Sequence, residues 1–439
     1  MPEPKPVMVI GGGLAGSEAA WQLARRGVPV DLYEMRPVLQ TPAHASAHLA
    51  ELVCSNSFKA AALDSASGLL KEELRQCGSL LMAIAERTRV PAGGALAVDR
   101  DRFAAEVTRA IEEEPRIRLH REEMPEIPAD RTVIVAAGPL MSEALTRSVA
   151  RFTGSRHLYF YDAISPILEG GSIDTGRTFR ASRYGRGSDD YINCPLTQPE
   201  YDRFFEALVG SETYPLHDFE SRLFFEGCLP LEEMARRGRE TLLFGPMKPV
   251  GLIDPATGRR PFAVVQLRQD NQAADQFSLV GFQTQMRRRE QERVLRLIPG
   301  LENARFVRYG QVHRNSYINS PALLGPTLQT RRRPDLFFAG QIAGVEGYVE
   351  AVATGLMSGI NAARLEGGAP AVVFPRTTAL GSLLQYISQA DPGDYQPSNI
   401  SFGLLPSAAG GVPRGDRRRS VTQRALQDLE RWRADAGIN

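Results

Sequence analysis

Val7-Met-Val-Ile-Gly11-Gly-Gly13-Leu-Ala-Gly16-Ser-Glu-Ala-Ala20 is the stretch that decides the fold. Its four leading apolar residues read as a buried strand, the glycines as a turn, and the segment up to Arg25-Arg26-Gly27 as a helix. Each glycine has a mechanical reason. Gly11 permits the tight turn, Gly13 lets the backbone approach a pyrophosphate, and Gly16 lets helix and strand pack closely. Gly12, Leu14 and Ala15 complete the loop, placing amides at a helix N-terminus whose dipole favours phosphate. A second strand, from Val28, ends in Glu34, 23 positions after the first glycine. That is near the ~20 expected for a carboxylate on a ribose hydroxyl. A glycine pattern alone is a weak signal that a structural turn also satisfies. Strand, helix, second strand and terminal acid together predict a dinucleotide site.

A chain of 439 residues exceeds one ordinary core, so two or three folding units are expected. Its apolar (43%) and charged (23%) fractions are those of a globular protein. With 52 basic and 51 acidic residues the net charge is +1, so a polyanionic partner has to be met by local basic patches. The apolar run ahead of the glycines is too short for a signal or a membrane span, which predicts a cytoplasmic protein without membrane contact. Cys54, Cys77, Cys194 and Cys228 form no CxxC pair and no zinc spacing, so reduced thiols and no metal are expected.

The predicted class is α/β. A Rossmann-like cofactor-binding domain, discontinuous in sequence, carries an inserted α+β substrate domain. The expected boundaries are 1–150 for the first part of the cofactor domain, 151–322 for the insertion and 323–439 for the second part with a basic tail. Apolar spacing predicts a helix from Leu69 to Arg87, another from Asp99 to Glu112, and a strand from Thr132 into Ala136-Ala-Gly138. Asp254-Pro-Ala-Thr-Gly258 has the chemistry of a hairpin-like turn between two apolar runs. The strand Asp335–Ala339 opens into a second glycine-rich turn with Gly340, Gly344 and Gly347, and a helix is expected behind it from Gly355. In the tail a surface helix is expected from Val421 to Ala434, with no order imposed on 410–420.

Glu34-Met-Arg-Pro, Thr41-Pro-Ala-His, Val53-Cys54-Ser-Asn-Ser, Pro91-Ala-Gly-Gly-Ala-Leu-Ala-Val-Asp-Arg100, Phe244-Gly-Pro-Met-Lys-Pro-Val-Gly251 and Ala339-Gly-Gln-Ile-Ala-Gly-Val-Glu-Gly-Tyr348 carry a resemblance. Together they resemble the bacterial folate- and FAD-dependent tRNA (uracil-5-)-methyltransferases, a branch of the glucose-inhibited-division flavoproteins. The resemblance spans nearly the whole chain except the Arg-rich tail. It implies FAD as cofactor, 5,10-methylenetetrahydrofolate as carbon donor, NAD(P)H as reductant, and the T loop of tRNA as substrate. No obligate protein partner is implied. It also implies two functional thiols. Cys228 is expected to add to uracil C6, and Cys54 to assist near the flavin, by taking the C5 proton or by protecting the flavin.

The chemistry suits those residue types. Uracil C5 is a poor nucleophile until a thiolate adds at C6, and cysteine both adds and leaves readily. Free cysteine is nevertheless most often inert packing. Cys77, in a helical Leu-rich segment, reads as core, and Cys194 reads equally as packing or site lining. For the flavin end and the folate slot the candidates are Gly340, Gly347, Arg268, His313, Arg314, Glu346 and Tyr348. A lone histidine such as His313 is more often a satisfied structural residue than a catalyst, and for Glu346 a helix-capping or turn role explains the residue equally well. Arg236-Arg237-Gly-Arg239, 287–289, 331–333 and 417–419 are the basic runs offered to RNA, with Phe224, Phe225 or Tyr348 to stack on an extruded base. Two other classes share the cofactor loop: a longer wobble-uridine modification factor and a small-molecule FAD oxidoreductase. The short chain after Gly368 disfavours the first, and the single GxGxxG disfavours the second.

Overall fold

The computed structural model describes residues 5–154, 158–185, 188–215, 229–408, 410 and 412–438, with backbone only at 158–162, 313 and 314. One layer is a five-stranded parallel sheet. Its spatial order is Leu336–Phe338, Val133–Val135, Val7–Ile10, Val30–Tyr33, Ile117–His120. The glycine-loop strand is central, with Val7–Ile10 registered on Val30–Tyr33 on one side and Met8–Ile10 on Val133–Val135 on the other. The outer strand Leu336–Phe338 returns from far along the chain, so the sheet is assembled from two separated stretches. Every residue of the strands 7–10, 133–135 and 336–338 is buried, as expected for parallel strands covered on both faces.

The helix Leu14–Ala24 follows the glycine loop, and the long helix Tyr348–Glu366 packs against it. A Cβ at Gly355 would lie 2.2 Å from the Ala15 carbonyl oxygen, so the two backbones approach as closely as glycine allows. The long helix begins at Tyr348, seven residues before the expected start at Gly355. Because it is buried from Val349 to Ala363 apart from Ala351, its first turns show no amphipathic period. The expected single helix 69–87 is two, Ala66–Gln76 and Leu80–Arg87. Gly78 takes φ +72°, and the Ser79 hydroxyl caps the second helix by accepting the Met82 N–H at 3.2 Å. Both helices bury apolar residues in one core, so the spacing runs on across the break.

A second, antiparallel sheet has the order Phe179–Arg180, Tyr191–Leu196, Ala263–Gln269, Gln276–Leu279, Ile167–Glu169, Phe306–Arg308. It has its own apolar core with the helices Gln198–Val209 and Arg288–Leu295, distinct from the core of the parallel sheet. The antiparallel pair Leu158–Ala163 and Val312–Tyr317 carries the chain out and back. The turn at 254–258 is hairpin-like, with Asp254 bridged to Arg259, but the apolar run before it is partly helical at Thr241–Phe244. The last helix runs from Arg417 to Ala436, longer than expected at both ends. It also buries Val421, Ala425 and Leu429, so it is docked rather than merely superficial. No helix among the described residues is long and apolar enough to cross a membrane.

Candidate active site

A cavity of about 460 Å³ lies where the central strands of the parallel sheet end, at the point where the strand order reverses. Open α/β sheets bind ligands at this switch point, and the volume is that of a small-molecule site. The glycine loop, Glu34, Cys54, Arg268, Gly340 and Tyr348 all contribute to its wall. The glycine loop has the geometry its sequence requires. Gly11 takes φ +103°, and a Cβ at Gly16 would sit 1.8 Å from the Gly11 carbonyl oxygen. At Gly13 the added carbon would meet nothing within 4 Å, so the loop leaves open space there. The following helix has no side-chain N-cap, leaving its first amides for a ligand. These residues fit a dinucleotide pyrophosphate.

Glu34 is buried at the end of its strand. Its Oε2 accepts the Gly12 N–H at 2.9 Å, while Oε1 accepts the Arg36 backbone N–H and Nε at 3.0 and 2.8 Å. Burial pushes the Glu34 carboxyl up, but the Arg36 guanidinium and these N–H donors outweigh it and hold it below the usual carboxylate range. Oε1 is thus saturated and Oε2 keeps one lone pair, enough for a ribose hydroxyl. Arg36 also pairs with Glu51 at 3.1 Å. Beside them His44 is pushed down to about 4 by burial and by the Arg36 charge, so it is neutral at physiological pH. Arg36 and His44 lie in the sequence motifs Glu34-Met-Arg-Pro and Thr41-Pro-Ala-His, in which neither has an expected role. The signal was an arginine two residues after the ribose acid.

The Cys54 loop faces the second glycine turn. The Cys54 and Ser55 N–H groups both donate to the Tyr348 hydroxyl, at 2.8 and 3.0 Å, which ties the thiol's backbone to the start of the long helix. Burial raises the Tyr348 hydroxyl far above its ordinary pKa, so it stays protonated. Arg268, on a strand of the second sheet, donates to Asn56 Oδ1 and Ser55 Oγ, both at 2.8 Å. Glu346 is buried in the second glycine turn, its Oε2 accepting Gln341 Nε2 at 2.7 Å. Gly347 also lines the cavity.

The remaining candidates separate from this constellation. Cys77 and Cys194 are fully buried in the first and second cores, and burial pushes the Cys77 thiol up to about 12 and the Cys194 thiol higher still. Cys194 is therefore packing. Cys228, Phe224 and Phe225 lie outside the described residues. His313 and Arg314 sit on the strand Val312–Tyr317, opposite Asp162 and Tyr161, and their side chains lie outside the description. Part of the basic runs is structural. Arg333 pairs with Asp335 and donates to two carbonyls, and Arg239 pairs with Asp202. Arg289, Arg331 and Arg419 are exposed.

Fold and cavity together define a flavoprotein-type dinucleotide-binding protein with a thiol beside the cofactor loop. Residues 6–370 match the family model described as glucose inhibited division protein A. The chain is 59% identical to the methylenetetrahydrofolate–tRNA-(uracil-5-)-methyltransferase TrmFO of Pelotomaculum thermopropionicum, covering 98% of each chain. It is 58% identical to the protein of the same name from Solibacter usitatus, covering 98% of this chain and 99% of that one. The solved GidA of Aquifex aeolicus shares the fold at a TM-score of 0.74 and 17% identity, covering 100% of this chain and 74% of that one. The chain belongs to the glucose inhibited division protein A family.

Proposed function

We propose that this chain methylates uracil C5 in the T loop of tRNA, taking the carbon from 5,10-methylenetetrahydrofolate and electrons from FAD reduced by NAD(P)H. The observation that carries this reading is a thiol, Cys54, on the wall of the cavity that also holds the glycine loop. Its support is near full-length identity to relatives that bear that name. The glycine loop from Gly11 to Gly16 would hold the FAD pyrophosphate, Glu34 a ribose hydroxyl, and Gly340 and Gly347 the flavin end. Bound FAD supplies the reducing equivalents that convert a transferred methylene into a methyl group.

The protein's own residues prepare the uracil. The Cys228 thiolate adds to C6, which places the ring electrons on C5, and C5 forms the new bond to carbon. Loss of the C5 proton would then release the carbon from the tetrahydrofolate nitrogen, and once that carbon is reduced to a methyl group, expulsion of the thiolate from C6 restores the ring. The chain just after Cys228 is anchored at the cavity, since the Leu231 N–H donates to the carbonyl of the cavity-lining Gln283 at 2.7 Å. Cys54 assists, by accepting the C5 proton or by protecting the flavin. Glu346 offers a buried carboxylate to pterin N–H donors, and Arg268, Tyr348, His313 and Arg314 complete the folate slot. Residues 1–150 and 323–439 then form the FAD-binding domain, and 151–322 the substrate and RNA domain, of a cytoplasmic enzyme.

The test is incubation with unmodified tRNA, NADPH and labelled methylenetetrahydrofolate, followed by nucleoside analysis. Labelled 5-methyluridine is expected. Methyl label arriving instead from S-adenosylmethionine, or no nucleoside product at all, would overturn the reading.

A further inference from the structure

The segment from Arg236 to Arg260 holds six basic residues and two acidic ones, Glu240 and Asp254, and of the six Arg236 pairs with Glu233 and Arg239 with Asp202. It also exposes apolar surface. Phe244 is 80% exposed and Ile253 58%, and Tyr184, which leans on this segment, is 60% exposed. Monomeric proteins scatter single exposed apolar residues, but an exposed Phe244 and Ile253 on one cationic segment, with the Tyr184 ring against it, need a reason.

The loop is held in place rather than trailing. The Tyr184 N–H donates to the Gly251 carbonyl at 3.0 Å, and Arg183 Nη1 donates to the Val250 carbonyl at 3.0 Å. A Cβ at Gly251 would come within 2.9–3.1 Å of the Tyr184 ring, so one edge of the ring rests on the loop backbone. Tyr184 itself takes φ +59°, a left-handed conformation that costs free energy for a tyrosine and that leaves the ring largely in solvent. Lys248, Arg259 and Arg260 have no ion-pair partner among the described residues. Within the same segment Pro246 packs on Gly281, a residue of the cavity wall, so the segment touches the site.

We propose that Phe244, Tyr184 and Ile253, with Lys248, Arg259 and Arg260, form a platform for unpaired nucleotides of the RNA that flank the target uridine. Exposed aromatic faces stack on bases without sequence preference, and the cations meet the phosphates between them. A base drawn into the cavity leaves its neighbours unstacked at the rim, where this loop lies. The proposal rests on the tRNA reading above and adds the surface that would hold the RNA.

Its test is titration of unmodified tRNA, at several salt concentrations, against the full-length holoprotein and its variants. Phe244→Ala and Tyr184→Ala are each expected to raise Kd by about 5- to 100-fold, with Phe244→Trp restoring binding. The triple variant K248A/R259A/R260A is expected to flatten the dependence of log Kd on log salt by about 2 to 3 units. Flavin content and the melting curve, read on the same samples, separate these effects from misfolding. Unchanged Kd and salt slope in well-folded variants that bind tRNA would overturn this surface alone. So would a change confined to self-association, which would make the patch a protein interface. A wild-type holoprotein that does not bind tRNA would overturn the substrate reading with it.

Discussion

A side chain added at Gly13 would enter open space on the cavity wall, whereas one at Gly16 would strike the Gly11 carbonyl. Gly13→Val should therefore fold and lose its cofactor, because the new side chain occupies the space the pyrophosphate needs. The purified variant should lack flavin absorbance while its far-ultraviolet circular dichroism stays that of the wild type; a fully yellow Gly13→Val would sink the placement. For the thiols, Cys228→Ala should retain FAD and tRNA binding yet lose methylation by several orders of magnitude, since no other group activates C5. RNA carrying 5-fluorouridine should trap a covalent adduct, because fluorine does not leave C5 as a proton does. An adducted peptide containing Cys54 would reverse the two roles. These assignments divide along a physical line. The glycines were legible because steric and dihedral demands act locally, within six residues of sequence. The inertness of Cys194 was not legible, because only the packing of the second core buries it.

Between elements, the contact with most consequence is a carboxylate. Glu73, on the helix Ala66–Gln76, accepts the first N–H groups of the helix Ala379–Gln389, from Ala379 at 2.7 Å and Leu380 at 2.8 Å. These donors favour the carboxylate, but complete burial outweighs them and pushes the Glu73 carboxyl up to about 8. A carboxyl group whose folded pKa lies above its unfolded value stabilises the fold at low pH. That contribution is lost as pH rises from about 4.5 to about 8, because the unfolded chain gives up its proton first. Glu73→Gln keeps an acceptor without the ionisation, so its stability should fall less across this window than that of the wild type. Denaturant midpoints at several pH values compare the two, and parallel curves would refute the buried-acid account. The same element shows why helix boundaries escaped the sequence. Leu69–Arg87 has unbroken apolar spacing, and only Gly78 with the Ser79 cap divides it. The long helix from Tyr348 hid its start because nearly every residue of its first turns is buried.

At the scale of the molecule, the site exists because two cores are joined at the Cys54 loop. Asn56 Nδ2 donates to carbonyls of Val98 and Gln269, both at 3.0 Å, bridging the two layers. Beside it Arg100 forms a two-pronged pair with Asp270, at 3.1 and 3.0 Å, and both residues are buried. Arg100 also donates to the Leu52 carbonyl, so the pair fixes the segment leading into Cys54. Asp270→Ala would leave a buried guanidinium unpaired, and should cost about 3–5 kcal/mol of stability. The double variant R100M/D270L removes both charges and should cost clearly less, since a buried ion pair gains little over apolar packing of similar volume. Flavin should survive in both, because the glycine loop belongs to the parallel-sheet core alone, while methylation should fall with the displaced Cys54 segment. Equilibrium denaturation checks the first pair of expectations, and flavin content with methylation assays checks the second. If Asp270→Ala were as mild as an ordinary surface change, within about 0.5 kcal/mol, the junction would have to be held by something other than this ion pair.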